Sequence, residues 1–182
     1  MIDYSEYLNK PGMLEYIEQE WLEKAQHIHD YQAAFVFKAW DNLRPRSIIE
    51  FGCSTGNLAK RLAKYPVIKY RGIDSNERAL DIARQKVPGY EFINADIRTY
   101  SGKADLIVCY ATFKHFSLDE LPKIAARLRK LGKYMIFDMP YSEQPKDDGV
   151  EHHHTWAPLS FFGFEAIDTD TISNPIEPIY LV

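Results

Sequence analysis

Ile48-Ile49-Glu50-Phe51-Gly52-Cys53-Ser54-Thr55-Gly56-Asn57 is the stretch that decides the fold of this chain. Residues 47–51 are apolar and short, as a buried strand is, and a helical pattern begins at Asn57. Two glycines bracket the turn between them. Gly52 follows directly on the strand, where a residue without Cβ lets the chain turn sharply and lets a ligand lie against the backbone. Gly56 stands at the start of the helix, whose first N–H groups are unpaired and carry the positive end of the helix dipole. Strand, glycine turn and helix in that order open a parallel α/β unit.

The alternation continues downstream. Residues 57–65 read as a helix with Leu58, Leu62 and Ala63 on one side, and 70–73 as a strand. A helix over 76–87 carries Leu80, Ile82 and Ala83, and 90–94 is a third strand. Residues 104–110 are nearly all apolar, as a strand buried on both faces is. A helix over 118–131 and a strand over 133–138 follow. This pattern implies a parallel sheet with helices on both faces. Residues 139–154 then read as a polar, proline-containing loop and 157–162 as a short helix. Strands over 164–172 and 179–182 flank Ser173-Asn174-Pro175, and strands joined so tightly are antiparallel. The expectation is an α/β fold of three layers, with a seven-stranded, mostly parallel sheet that closes in a C-terminal antiparallel hairpin.

Upstream, residues 11–43 read as two helices. Pro11 suits a first turn, and Leu14, Ile17, Trp21 and Leu22 recur at helical spacing. The second carries Tyr31, Ala34, Phe35, Lys38, Ala39 and Leu43 and ends near Arg44-Pro45. Residues 1–44 are expected to form a helical lid over a domain at 45–182. Tyr4, Tyr7 and Tyr31 could offer aromatic faces to a cation or pack at the seam between lid and core.

The bulk numbers agree with one domain. The chain has 182 residues, is 46% hydrophobic and 26% charged, and carries a formal charge of −4. An acidic chain lacks the broad basic surface that displaces counterions from phosphates, so nucleic acid is not an expected partner. Two cysteines, Cys53 and Cys109, do not make a disulfide framework. The N-terminus carries charge where a signal peptide needs an apolar run, and no stretch approaches the roughly 20 apolar residues of a membrane span. The expectation is a cytoplasmic protein with no membrane contact; oligomeric state is not legible.

Two acids fall in register with the glycine turn. Asp74 lies 22 residues after Gly52, at the end of the second strand, where it could accept hydrogen bonds from both ribose hydroxyls of a nucleoside. Asp96 lies 22 residues further on, just past the third strand, where it could accept from an exocyclic adenine amine. Each has a plain structural alternative. Asp74 ahead of Ser75-Asn76 suits a helix cap, and Asp96 a turn cap.

With these in place the chain resembles a family. Glu50-x-Gly52-x-Ser54-x-Gly56 is similar to the first motif of class I S-adenosylmethionine-dependent methyltransferases. Gly72-Ile73-Asp74, followed by Asn76-Glu77-Arg78-Ala79-Leu80-Asp81-Ile82-Ala83, resembles the second, and Asn94-Ala95-Asp96-Ile97 the adenine-binding turn. Asp105-Leu106-Ile107-Val108-Cys109-Tyr110 resembles the fourth strand, and the terminal hairpin, with Gly163-Phe164-Glu165 before it, the sixth and seventh. The resemblance covers about residues 45 to 182 and implies a Rossmann-like fold with S-adenosyl-L-methionine as cofactor. It further implies that Glu50, Gly52, Cys53, Ser54, Gly56, Asp74, Ser75, Asp96, Ile97 and Tyr110 surround that cofactor. Ser54 departs from the pattern, which has glycine there; serine is small and brings a hydroxyl.

Methyl transfer from a sulfonium is an in-line displacement with a good leaving group, so alignment and exclusion of water dominate, and a base is needed only when the acceptor must lose a proton. No fixed catalytic residue follows. Tyr110, His115 and His153 are the candidates, since they fall on loops over the carboxyl edge, as do Tyr141 and Trp156. No metal is expected from His152-His153-His154, because consecutive side chains diverge and no spaced carboxylate or cysteine cluster accompanies them. Asp138-Met139-Pro140-Tyr141 resembles the Asp-Pro-Pro-Tyr tetrapeptide of amino-methylating DNA methyltransferases, but it follows the fifth strand rather than the fourth. The acceptor is expected to be a small molecule. The rivals are a catalytically silent cofactor-binding module and a nicotinamide-dependent oxidoreductase, the latter disfavoured because Ser54 and Asn57 stand at its second and third glycine positions.

Overall fold

The five residues of β1 (Ser47–Phe51) have an almost wholly buried pattern, and the strand lies third in a sheet of seven. β2 (Lys69–Asp74) and β3 (Glu91–Asn94) extend the sheet on one side, all parallel. β4 (Ala104–Cys109) and β5 (Gly132–Asp138) extend it on the other, also parallel. A computed structural model describes residues 9–16, 18–19, 22–64, 69–139, 146–147, 155–157, 159–170 and 179–182. Tyr4, Tyr7, Tyr141 and the three consecutive histidines lie outside these residues, and Trp156 is described in its backbone only.

The end of the chain returns as expected, with one added feature. β8 (Asp168–Asp170) and β9 (Ile179–Leu181) are antiparallel, and β9 slots between β8 and β5. The strand order is therefore β3-β2-β1-β4-β5-β9-β8. β8 begins at Asp168, four residues later than the 164 read from sequence. The expected loop at 139–154 also holds structure: β6 (Lys146–Asp147) pairs antiparallel with β7 (Thr155–Trp156) in a separate two-stranded sheet. Two-residue strands carry no readable alternation, so sequence patterning could not find them. The expected helix at 157–162 is a 3₁₀ turn, Leu159–Phe162.

Helices cover both faces. α1 (Met13–Tyr16), α2 (Leu22–Leu43), α3 (Asn57–Leu62), α4 (Glu77–Lys86) and α5 (Leu121–Arg129) match the expected order, except that Leu22, expected in the first helix, opens the second; α3, α4 and α5 have shorter ends than expected. α5 starts three residues late because Ser117 first forms a turn: its carbonyl accepts from the N–H of Glu120 and of Leu121. Side chains alternate along each strand, so the sheet feeds two cores. Ile48, Leu106, Val108 and Ile136 pack on one face with Ala33, Val36 and Ala39 of α2 and with Leu58, Leu62, Leu80 and Ala83 of α3 and α4. Ile49, Phe51, Ile107, Met135 and Phe137 pack on the other with Leu121, Ile124 and Leu128 of α5. Helix α2 thus forms part of the layer over the first face. Among the described residues no helix is long and apolar enough to cross a membrane.

Candidate active site

The turn after β1 is built from backbone strain that neighbouring groups hold in place. Gly52 has φ 73° and Gly56 φ 76°. A Cβ on Gly52 would stand 2.0 Å from Thr112 Oγ1, and one on Gly56 3.0 Å from Ala83 Cβ. The glycines therefore make room for neighbouring protein as well as for a turn. Ser54 also has positive φ, 46°, so the residue that departs from the family pattern has adopted a glycine's conformation. Gly52 N–H donates to the Ile73 carbonyl at 2.8 Å and Gly56 N–H to Cys53 at 2.9 Å.

Asp74 closes the turn from β2. Its Oδ2 accepts from Ser54 N–H and its Oδ1 from Asn76 N–H, both at 2.9 Å. The cap of α4 belongs to Asn76, whose side chain accepts from Ala79 N–H at 3.1 Å. Burial pushes the Asp74 carboxyl up, against the pull of the Asn76, Ser54 and Ser75 N–H groups. A carboxylate has about four acceptor positions, so beside these three N–H groups about one stays open for a hydroxyl donor.

Glu50 is buried, and Tyr70 OH donates to its carboxyl. Burial pushes the Glu50 carboxyl up to about 8, the Tyr70 hydroxyl bond pulls it back, and Asp74 adds to the rise. Glu50 sits opposite Gly72 in the β1–β2 register, and Cys53 Sγ would be 2.7 Å from a Cβ on Gly72. Cys53 and Cys109 are both free and buried, and burial raises both thiols.

The third acid sits at the rim. Asp96 is half exposed; its Oδ1 accepts from Arg98 N–H at 2.6 Å, and its Oδ2 lies 3.3 Å from the Arg98 guanidinium. Its backbone carbonyl accepts from Thr99 and Tyr100, so Asp96 does cap a turn. Arg98 also pairs with Glu120 and stacks over Phe116. Ile97 is buried in the second core. Asp74 and Asp96 thus both stand at strand ends on the edge next to the glycine turn, with Ser75 between β2 and α4.

The loop after β4 brings the expected Tyr110 together with Gln32, Ala111 and Thr112, which the sequence did not single out. Tyr110 is buried, and its hydroxyl donates to the carbonyl of Gln32 on α2 at 3.1 Å. Ala111 has φ 51° and donates its N–H to Asp138 Oδ1 at 2.6 Å. Gln32 Nε2 donates to Asp138 Oδ2 at 3.3 Å. Thr112 Oγ1 lies 2.8 Å from the Tyr110 carbonyl and 3.3 Å from that of Phe51. His115 is half-buried on the 3₁₀ turn Phe113–His115 that follows. A further contact comes from upstream: Thr55 Oγ1 donates to Glu18, which pairs with Lys86 at 2.8 Å, and Lys86 also reaches Asn57 Oδ1 at 2.8 Å. Only tertiary proximity reveals these; no spacing announces them. Among the described residues, no three His, Cys, Asp or Glu side chains are grouped to hold a metal ion.

This architecture and edge are those of a Rossmann-like α/β domain, and known proteins share it. Residues 48–133 match the methyltransferase domain family. That segment is just under half of the chain, and over it the chain is similar to methyltransferase domains. The trans-aconitate 2-methyltransferase of Paracidovorax citrulli (strain AAC00-1) is 32% identical over 106 residues, which are 53% of this chain and 40% of that protein. That of Enterobacter sp. (strain 638) is 32% identical over 100 residues, 51% of this chain and 38% of that protein. The chain spans two fifths or less of these curated relatives. Among solved structures, the magnesium protoporphyrin IX methyltransferase of Synechocystis PCC 6803 with bound S-adenosylmethionine has a TM-score of 0.75 at 18% identity, covering 100% of this chain and 97% of that one. An O-methyltransferase family protein from Burkholderia thailandensis also has a TM-score of 0.75, at 14% identity, covering 98% and 61%. At such identities the likeness is one of fold.

Proposed function

We propose that this chain binds S-adenosylmethionine on the Gly52–Gly56 turn and transfers its methyl group to a small-molecule acceptor by in-line displacement. The observation that carries the reading is Asp74, whose carboxyl fastens Ser54 of the turn at the carboxyl edge and keeps about one acceptor position for a ligand hydroxyl. In an open sheet of order β3-β2-β1-β4-β5, ligands bind at the switch point beside β1, where this turn lies. Asp96 and Ile97 are proposed to meet the adenine and Asp74 and Ser75 the ribose. Glu50, Gly52, Cys53, Ser54, Gly56 and Tyr110 are proposed to form the floor under the methionine end. Tyr110 and His115 are proposed to border the transferred methyl group; His153 belongs to the same proposal but lies outside the described residues.

The curated relatives make trans-aconitate the first acceptor to assay. A carboxylate acceptor has no proton to lose, which suits a site without an evident base. Calorimetric titration with S-adenosylmethionine, S-adenosylhomocysteine and NAD tests the cofactor: the first two should bind and NAD should not. Binding of NAD alone would overturn the reading. Methyl transfer to trans-aconitate or to another small acid separates an enzyme from a silent cofactor-binding module.

A further inference from the structure

Ala111 is a second strained point beside the candidate site. Its φ of 51° is a conformation that a side chain with a Cβ enters at a steric cost. Such strain persists where the surroundings over-determine it, and it clusters at functional sites. Here the surroundings can be named. The Ala111 N–H donates to Asp138 Oδ1 at 2.6 Å, the short distance of a bond to a carboxylate. Asp138 ends β5 and is 4% exposed. Its other oxygen takes Gln32 Nε2, and the Gln32 carbonyl takes the Tyr110 hydroxyl. On the far side of Ala111, the Thr112 side chain fills the space a Cβ on Gly52 would need and reaches the Phe51 carbonyl. Residues 110–112 are thus held from β5, α2 and β1 together.

We infer that Asp138 is a positioning residue: through the Ala111 N–H it keeps the β4 loop in its left-handed form, which seats Thr112 against Gly52 and shapes the floor under the sulfonium end of the cofactor. The inference rests on the cofactor reading above. It also gives Asp138-Met139-Pro140-Tyr141 a different meaning from its DNA-methyltransferase lookalike. Its acid faces inward to a backbone amide and to α2.

Calorimetric titration of S-adenosylmethionine into wild type and variants tests this. Asp138→Ala should lose about tenfold in affinity, the scale of one bond to a charged group. Asp138→Asn keeps a carbonyl for the Ala111 N–H and should stay within about threefold of wild type. Adding Ala111→Gly to Asp138→Ala should restore most of the loss, because glycine adopts the left-handed form without help. A buried acid with a merely structural role gives no such rescue, since glycine refills no space. Ala111→Val, at a partly buried position, should weaken binding to the same degree with Asp138 intact, and it carries the test should Asp138→Ala not fold. Wild-type affinity in Asp138→Ala or in Ala111→Val, or no rescue by Ala111→Gly, overturns the positioning role while leaving the cofactor reading in place. A wild type that does not bind overturns both.

Discussion

The strand ends on the two sides of β1 are built differently. On the β2–β3 side the decisive bonds are close in sequence: Asp74 reaches Ser54 across 20 residues and Asn76 across 2, and Tyr70 reaches Glu50 across 20. On the β4–β5 side Ala111 reaches Asp138 across 27, but the bonds that tie this loop to the rest are distant: Tyr110 to Gln32 spans 78 residues, Gln32 to Asp138 spans 106, and Thr112 to Phe51 spans 61. The first side is one βαβ unit closing on itself, so its chemistry is written as a spacing. The second is assembled by tertiary packing, so its chemistry is written nowhere in particular.

Gly52 is where the two sides touch, and it should give the largest effect. Gly52→Ala puts a Cβ 2.0 Å from Thr112 Oγ1 at a φ of 73°. We expect a loss of about 3 kcal/mol in denaturant unfolding, from overpacking plus left-handed strain. Adding Thr112→Ala should return the overpacking part and leave about 1 kcal/mol of strain. No recovery in the double variant would show that the two sides are not in contact there. Asp74→Ala comes next. It leaves the Ser54 and Asn76 N–H groups without their acceptor, an expected loss of about 2 kcal/mol. It should also weaken S-adenosylmethionine binding by more than tenfold, measured by calorimetry, since the ribose would lose its partner on this reading.

This contrast also explains what was legible. The element order, the parallel core and the terminal hairpin could be read because periodicities of 3.6 and 2 survive in runs such as 104–110 and 76–87. Asp74 and Asp96 could be read because each follows a strand at a regular interval from Gly52. The insertion of β9 between β5 and β8 could not be, because pairing partners of short strands are chosen by packing. Nor could Gln32, Ala111 or Thr112. Ala111 looks like any alanine until its φ and its bond to Asp138 are seen. Ser54 was legible as a departure, but not as a strained residue.

Glu50 tests the first side through pH. Its buried carboxyl has a folded value raised to about 8, above that of an unfolded chain, so the folded protein binds the extra proton between roughly pH 4.5 and 8. Stability tied to this group is full at the acid end of that window and falls as pH rises through it. Glu50→Gln mimics the protonated acid and keeps an acceptor for Tyr70. It should match wild type near pH 5 and exceed it by a margin that widens steadily toward pH 8 in thermal unfolding. A gap that stays constant with pH would mean that Glu50 is ionised throughout, with its charge met by the fold.

Ser54 should give the smallest effect and the finest distinction. Its φ of 46° carries a strain of about 1–2 kcal/mol that glycine would not feel. Glycine gives back about 0.5–1 kcal/mol through the added freedom of the unfolded chain. Ser54→Gly should therefore gain under about 1 kcal/mol, a rise of a few degrees at most in Tm. Ser54→Ala keeps the strain and removes only the hydroxyl, so its Tm should not rise. If both variants gained alike, the hydroxyl would be the unfavourable group and the backbone blameless. If only Ser54→Gly gains, and both variants bind S-adenosylmethionine more weakly, then the hydroxyl contributes to cofactor binding at a position the backbone alone would give to glycine.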